Sequence, residues 1–220
     1  MFKVVTIILI ALVVFMDLAV PVVAQTRPPT GTAKVSKVVV DSPDVDTEGS
    51  GCRAGTVGVA FSKDNAFMTV LFSDFEAAVG PQAGKARKRA FCRVNVTMSS
   101  PGWAFDVNSV DFRGYVNIVK GVNASLVTRW KWVDSKGNDI EGKGNAHKIL
   151  KGPFEDDFLL HKDGETSDGE KSVCQKASAK LQISLSATLT PTTSSQSGLI
   201  QGSSADAAFG ELMNLSWRKC

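Results

Sequence analysis

The sequence predicts an all-β fold, a single-domain antiparallel β-sandwich of jelly-roll-like kind with about ten strands and two disulfides. Three observations predict it. Between Ala177 and Leu189 the chain alternates without a break: Ala177, Ala179, Leu181, Ile183, Leu185, Ala187 and Leu189 fall on one side, and Ser178, Lys180, Gln182, Ser184, Ser186 and Thr188 on the other. A strict period of two is the pattern of an antiparallel strand with one buried and one wet face. Shorter runs of the same kind recur along the chain, separated by Gly, Pro, Asn and Asp turn signals. Four cysteines follow an apolar N-terminal segment, which is the arrangement of a secreted, disulfide-bridged domain.

Composition sets the outer bounds. The 220 residues are enough for one domain with a real core. With 43% hydrophobic and 21% charged residues the chain is globular rather than disordered. The 25 basic and 22 acidic residues leave a net charge of +3, too balanced to point to a nucleic-acid partner.

The N-terminus reads as a signal peptide over residues 1–24. Lys3 supplies the positive start, Val4 to Phe15 is almost wholly apolar, and Val22-Val23-Ala24 precedes a cut at Ala24/Gln25. Asp17 and Pro21 interrupt the apolar run, which is short for a bilayer span, so the mature chain is expected to carry no transmembrane segment and to be secreted. Residues 25–32 form a Pro/Thr/Gly linker, expected to be mobile, and 33–220 the folded domain. Cys52, Cys92, Cys174 and Cys220 allow three pairings. Cys52–Cys92 with Cys174–Cys220 is favoured because each bridge closes one half of the chain. A closed loop of about 40 residues is worth ~4 kcal/mol in the chain-entropy account. The cysteines lack zinc-site spacing and neither histidine lies near them, so no metal and no cofactor are expected.

In chain order, Ala33–Asp41 is the first strand. Thr56–Phe61 and Phe67–Phe72 follow, the second dense enough to be covered on both faces. One helical turn near Asp74–Ala78 is the only helix allowed for. Residues 80–89 form a polar loop with Lys85, Arg87, Lys88 and Arg89. Cys92, Val94, Val96 and Met98 share an inward face, and Pro101-Gly102 turns the chain. Trp103, Phe105 and Val107 alternate next, then Tyr115–Val119 makes a further strand. Asn123–Val133 places Leu126, Trp130 and Trp132 together, and Asp134–Asn138 is a hairpin turn. Residues 140–150 carry a weak signal, 154–160 a short apolar run, and 162–171 an acidic loop. Met213, Leu215 and Trp217 mark the last strand.

Several of these features form an ordered set. They are Gly49-Ser50-Gly51-Cys52 with Gly55-Thr56; Phe72 to Phe75 with Gly80-Pro81; Arg89 three residues before Cys92; and Phe112-Arg113-Gly114-Tyr115 running to Gly121-Val122. Gly152-Pro153 ahead of Asp156-Asp157-Phe158, Cys174 ahead of the long strand, and the ending Leu215-Ser216-Trp217-Arg218-Lys219-Cys220 complete it. In this set the mature chain resembles the secreted four-cysteine family known as domain of unknown function 4360. It departs at Lys171-Ser172-Val173, where that family has a Trp-Ser-Pro-like triplet before the third cysteine. The resemblance implies secretion and a β-rich fold; it implies no activity.

Chemistry-bearing residues are few. His147 and His161 are the only bases for nucleophilic catalysis, and neither sits in a nucleophile-elbow context, so both read as exposed loop histidines. Asp74 with Glu76, and Glu155 with Asp156 and Asp157, are the carboxylates available to a glycoside-hydrolase pair, although adjacency in sequence does not place two carboxyls across a sugar. Residues 163–170 alternate acids with glycines but do not match a calcium loop, and read as a solvated turn. Trp130 and Trp132 would stack on sugar rings if their face were open; Leu126 shares that face, which favours the core. Trp103 and Trp217 read as core. The basic loop Lys85–Arg89 suits an anionic wall polymer or lipid headgroup but reads first as a solvated loop. Arg113 is a candidate ligand contact whose commoner role is structural. Asn95, Asn123 and Asn214 each begin a glycosylation sequon, and Asn95 and Asn214 fall on outward parity.

The reading is a secreted, non-enzymatic β-sandwich acting at the cell wall or extracellular matrix, binding extracellular polysaccharide. The alternatives are a secreted hydrolase using Asp or Glu, or an effector or inhibitor that binds a secreted or cell-surface protein.

Overall fold

The computed structural model describes residues 27–41, 51–83, 87–163, 180–202 and 209–220. The expected signal peptide, Cys174, Lys85 and the acidic stretch 164–170 lie outside them. Twelve strands run through the described residues: β1 (Lys34–Val40), β2 (Val57–Phe61), β3 (Phe67–Phe72), β4 (Ala77–Val79), β5 (Arg89–Ser99), β6 (Trp103–Ile118), β7 (Val122–Val133), β8 (Asp139–Lys151), β9 (Phe154–Asp163), β10 (Lys180–Pro191), β11 (Gly198–Gln201) and β12 (Phe209–Lys219). Among these residues there is no helix; in place of the helical turn allowed for near Asp74–Ala78, a non-helical turn at Ser73-Asp74 leads through Phe75 and Glu76 into the short strand β4. Among the described residues no helix is long and apolar enough to cross a membrane.

All pairings are antiparallel and make two sheets. The first has the order β1-β5-β10-β7-β8; the second has the order β2-β3-β12-β6-β11-β4, with β9 on the other edge of β6. Inward residues of both sheets form one apolar core. Leu181, Ile183, Leu185, Ala187 and Leu189 of β10 are all buried, as their alternation predicts. Across the gap between sheets Phe105 of β6 meets Trp132 of β7 with ring centroids 5.3 Å apart, and Phe105 also packs on Trp217 of β12 at 5.0 Å. At the other end Phe75, Phe112, Phe158 and Phe209 form a second aromatic cluster. One side of the pair of sheets is latched by Lys148 of β8, whose Nζ donates to the Leu159 carbonyl of β9 at 3.1 Å.

Cys52 and Cys92 form the first expected bridge, with Cα atoms 5.4 Å apart. The second expected bridge has Cys174 outside the described residues. At the opposite end Asn65, in left-handed backbone, donates through Nδ2 to the carbonyls of Pro28 and Pro29 at 3.1 Å each. Its own carbonyl accepts from Trp217 Nε1 at 2.6 Å. These bonds hold the described part of the 25–32 segment against the turn before β3.

Several strands differ from expectation. Residues 103–118 form one 16-residue strand, not two, and the reason is a bulge opposite Asn214/Leu215. Before the bulge Phe105 and Val107 point in; after it Val110, Phe112, Val116 and Ile118 do, so the inward parity switches from odd to even. Residues 139–151, with their weak pattern, form the full strand β8. Gly144 there faces Trp130, and a Cβ at Gly144 would lie 2.1 Å from the indole. The outer side of β3 is open rather than covered, with Leu71 42% exposed.

Candidate functional site

Once the bulge has fixed the parity of β6, the outward residues of its second half follow: Asp111, Arg113, Tyr115 and Asn117. Their inward neighbours Phe112, Val116 and Ile118 are in the core. The inward position between Arg113 and Tyr115 has to be glycine, because a Cβ at Gly114 would lie 2.6 Å from the Phe209 ring and 2.9 Å from Phe158. The sheet register then sets neighbours beside each outward residue. On β9, His161 lies opposite Asp111, Leu159 opposite Arg113, Asp157 opposite Tyr115 and Glu155 opposite Asn117. On β11, Gln201 lies opposite Tyr115 and Leu199 opposite Asn117.

Two contacts order this face. Tyr115 donates its hydroxyl to Glu155 Oε1 at 3.1 Å, a diagonal cross-strand pair. Partial desolvation first, and then the bond to Glu155, hold the phenol above its ordinary pKa, so it stays a neutral donor. His161 Nδ1 and Asp111 Oδ1 are 2.6 Å apart.

Beside Tyr115 the face dips into an open groove of about 410 Å³. Its polar walls are Glu76, Gln82, Asn117, Ser197 and Gln201, and Leu199 lies among them. Each amide presents donors and an acceptor side by side, the carboxylate accepts and the hydroxyl does both. That set matches a ligand rich in neutral hydroxyls. The volume lies within the range of small-ligand clefts.

The residues singled out from sequence are dispersed. Trp130 and Trp132 are 4% and 2% exposed, so neither is a sugar platform. They face the gap between the sheets, with Leu126 as their alternation indicates. Arg113 is exposed on the face just described, two residues from Tyr115 on the same side. Asn95 points outward but is half-buried: its Oδ1 accepts from Gln182 Nε2 at 3.0 Å. Asn214 is half-buried and donates to Ser109 Oγ at 2.9 Å, whereas Asn123 is exposed at the start of β7. His147 and His161 are on strands β8 and β9, not in loops. His147 Nε2 lies 3.1 Å from Ser125 Oγ on an exposed sheet face, where no carboxylate contacts the ring among the described residues. Among the described residues no three His, Cys, Asp or Glu side chains come together to hold a metal ion.

The sequence reading missed Tyr115, Asn117, Gln201 and Glu211. The first two alternate visibly with buried neighbours, but only once the strand is known to continue through the bulge. Glu211 is two residues before the inward Met213, so extending the last strand backward would have placed it in the core.

The fold and this face define a disulfide-bridged protein of two packed antiparallel sheets, with a polar groove on the outside of one. The chain belongs to the family described as domain of unknown function (DUF4360), whose profile matches residues 37–220. An uncharacterized secreted protein of Arthroderma benhamiae is 29% identical over 173 residues, covering 78% of this chain and 68% of that one. Its secretion, like the Cys52–Cys92 bridge, agrees with an extracellular location. Among solved structures, TmCBM61 in complex with beta-1,4-galactotriose is 9% identical with a TM-score of 0.22, covering 86% of this chain and 87% of that one. The CBM22-1 xylan-binding domain of Paenibacillus barcinonensis Xyn10C is 14% identical with a TM-score of 0.24, covering 86% and 90%. The enzymatically active domain of bacteriophage CBA120 tailspike protein 4 is 8% identical with a TM-score of 0.26; 86% of this chain spans 20% of that one.

Proposed function

We propose that this secreted protein is a non-catalytic carbohydrate-binding β-sandwich acting at the cell wall or extracellular matrix, and that its binding site is the groove between β4, β11 and β6. The observation that carries the reading is the groove itself, where three amides, a hydroxyl and a carboxylate converge beside Tyr115. Sugar hydroxyls are donors and acceptors at once, and side-chain amides match them without fixing a charge. Tyr115 adds an amphipathic ring at the groove's end, and its hydroxyl bond to Glu155 limits its rotation. Arg113 lies beyond it as a further donor. A second bridge of the extracellular frame, between Cys174 and Cys220, belongs to the same reading.

The test is a panel of wall polysaccharides and neutral oligosaccharides screened against the secreted, oxidised protein and an Asn117→Ala/Gln201→Ala variant. Both substitutions are on an outer sheet face, so the fold is expected to survive, and circular dichroism checks it. Retention of a neutral glycan by the wild type, weakened at least about tenfold in the folded variant, supports the reading. Retention unchanged in the variant removes the groove from it. Release of reducing ends from a retained glycan would replace the binding reading with a hydrolase.

A further inference from the structure

The outer face of the first sheet differs in chemistry from the groove face. The register across β1, β5, β10, β7 and β8 lines up its outward residues in rows. One row runs Arg93, Ser184, Arg129, Asn145, and the next runs Asn95, Gln182, Lys131, Lys143. Lys37 on β1 and Lys180 on β10 stand on a third row with Thr97. Between these cations β10 presents only Gln182, Ser184, Ser186 and Thr188. The described carboxylates on this side are Asp41, beyond the end of β1, and Asp139, which is paired with Lys131 Nζ at 2.6 Å. On the second sheet the outward side instead carries Asp111, Glu155 and Asp157 around Arg113. Among the described residues the two outer faces therefore differ in sign.

We propose that the outer face of the first sheet is a second binding surface, for an extended anionic polysaccharide bearing carboxylate groups at regular intervals. Three features favour that occupant. The face is a broad strip of five antiparallel strands, so it suits a chain laid along it. Arg93 and Arg129 are two strands apart, about 10 Å, so they meet separate charges on a ligand rather than one. The hydroxyl and amide side chains of β10 between them complement sugar hydroxyls. Arg93 is also partly pre-organised, its guanidinium carbon held 5.4 Å from the Phe91 ring centre. A stripe of like charge with few local counter-ions attracts a polyanion over a Debye length, and does so less as salt rises.

The test uses polygalacturonate as the anionic probe and its fully methyl-esterified form as the neutral counterpart, with the secreted, oxidised full chain. Vesicles rich in anionic phospholipid and duplex DNA serve as competing polyanions. The expected result is retention on polygalacturonate that falls with added salt, at least about tenfold weaker in Arg129→Glu/Lys143→Glu, with little retention on the ester. Both substitutions are exposed; should the charge reversal fail to fold, Arg129→Gln/Lys143→Gln makes the same comparison. No retention on polygalacturonate, equal retention on the ester, unchanged retention by the folded variant, or equally tight binding to vesicles or DNA would each overturn the proposal. Neither residue lines the groove on the other sheet. The variants therefore leave neutral-glycan binding there intact, and the two readings fail separately.

Discussion

Glu211 is a carboxyl with 1% exposure between two sheets of apolar side chains. Its Oε1 accepts from Thr128 Oγ1 of the facing sheet at 2.9 Å, and its Oε2 has no partner among the described residues. In register beside it are Val70 of β3 and Phe112 of β6, neither of which titrates. Burial pushes the carboxyl up to about 8, against the smaller opposing effect of Thr128. The folded protein therefore holds a proton that the unfolded chain gives up near its ordinary value of 4.5. The stability that depends on this proton is complete below the unfolded value and is lost as pH rises through the folded one. Its slope is about 1.4 kcal/mol per pH unit across that window. Urea unfolding between mildly acidic and mildly alkaline pH should show the wild type losing stability as pH rises, and Glu211→Gln losing much less. An equal loss in both would assign the effect to other groups.

At the scale of elements, legibility in the sequence followed unbroken period-two patterns. The strand expected over 177–189, whose first three residues lie outside the described ones, and the inward set Cys92, Val94, Val96 and Met98 were readable because one face is apolar and the other polar, which leaves one register. Strand β6 was not readable as one piece, because a bulge inverts parity and the eye sees two strands with a gap. The groove face depends on the second half of β6, so it was hidden by the same inversion. β8 was hidden for another reason: its inward positions include the small residues Gly144 and Ala146, and at Gly144 the indole of Trp130 takes the space of a side chain. Gly144→Ala is expected to cost ~1–3 kcal/mol by overpacking against that indole, seen as a lower thermal midpoint. An unchanged midpoint would mean that β8 moves outward freely at this position. Strand position also bears on the sequons. Asn123 is exposed, whereas Asn95 and Asn214 use their amides in bonds to Gln182 and Ser109. Peptide mass spectrometry on protein secreted from a eukaryotic host should find the highest glycan occupancy at Asn123. Occupied Asn95 and Asn214 with bare Asn123 would contradict this.

At the scale of the whole molecule, two packed sheets leave two outer faces to evolve separately. Their shared core fixes only inward residues, so the outward ones carry the chemistry: polar and acidic around Tyr115, basic around Arg129. Sequence alone gave the compartment, the β class and the first disulfide, because each rests on local pattern or cysteine spacing. It could not give the groove, whose walls come from residues 76–83, 117 and 197–201 and meet only through strand pairing. It favoured the core for Trp130 and Trp132 because Leu126 shares their face, and their burial agrees, but a pair of tryptophans on one strand does not point to where an open ligand face lies instead. Binding of neutral glycan in the groove can be read residue by residue from amide chemical-shift mapping of the isotopically labelled secreted protein, titrated with an oligosaccharide from the screen. Saturable shifts are expected to concentrate at Glu76, Gln82, Tyr115, Asn117 and 197–201. Shifts confined to the first sheet, or no shifts with any neutral glycan that the protein retains, would contradict it.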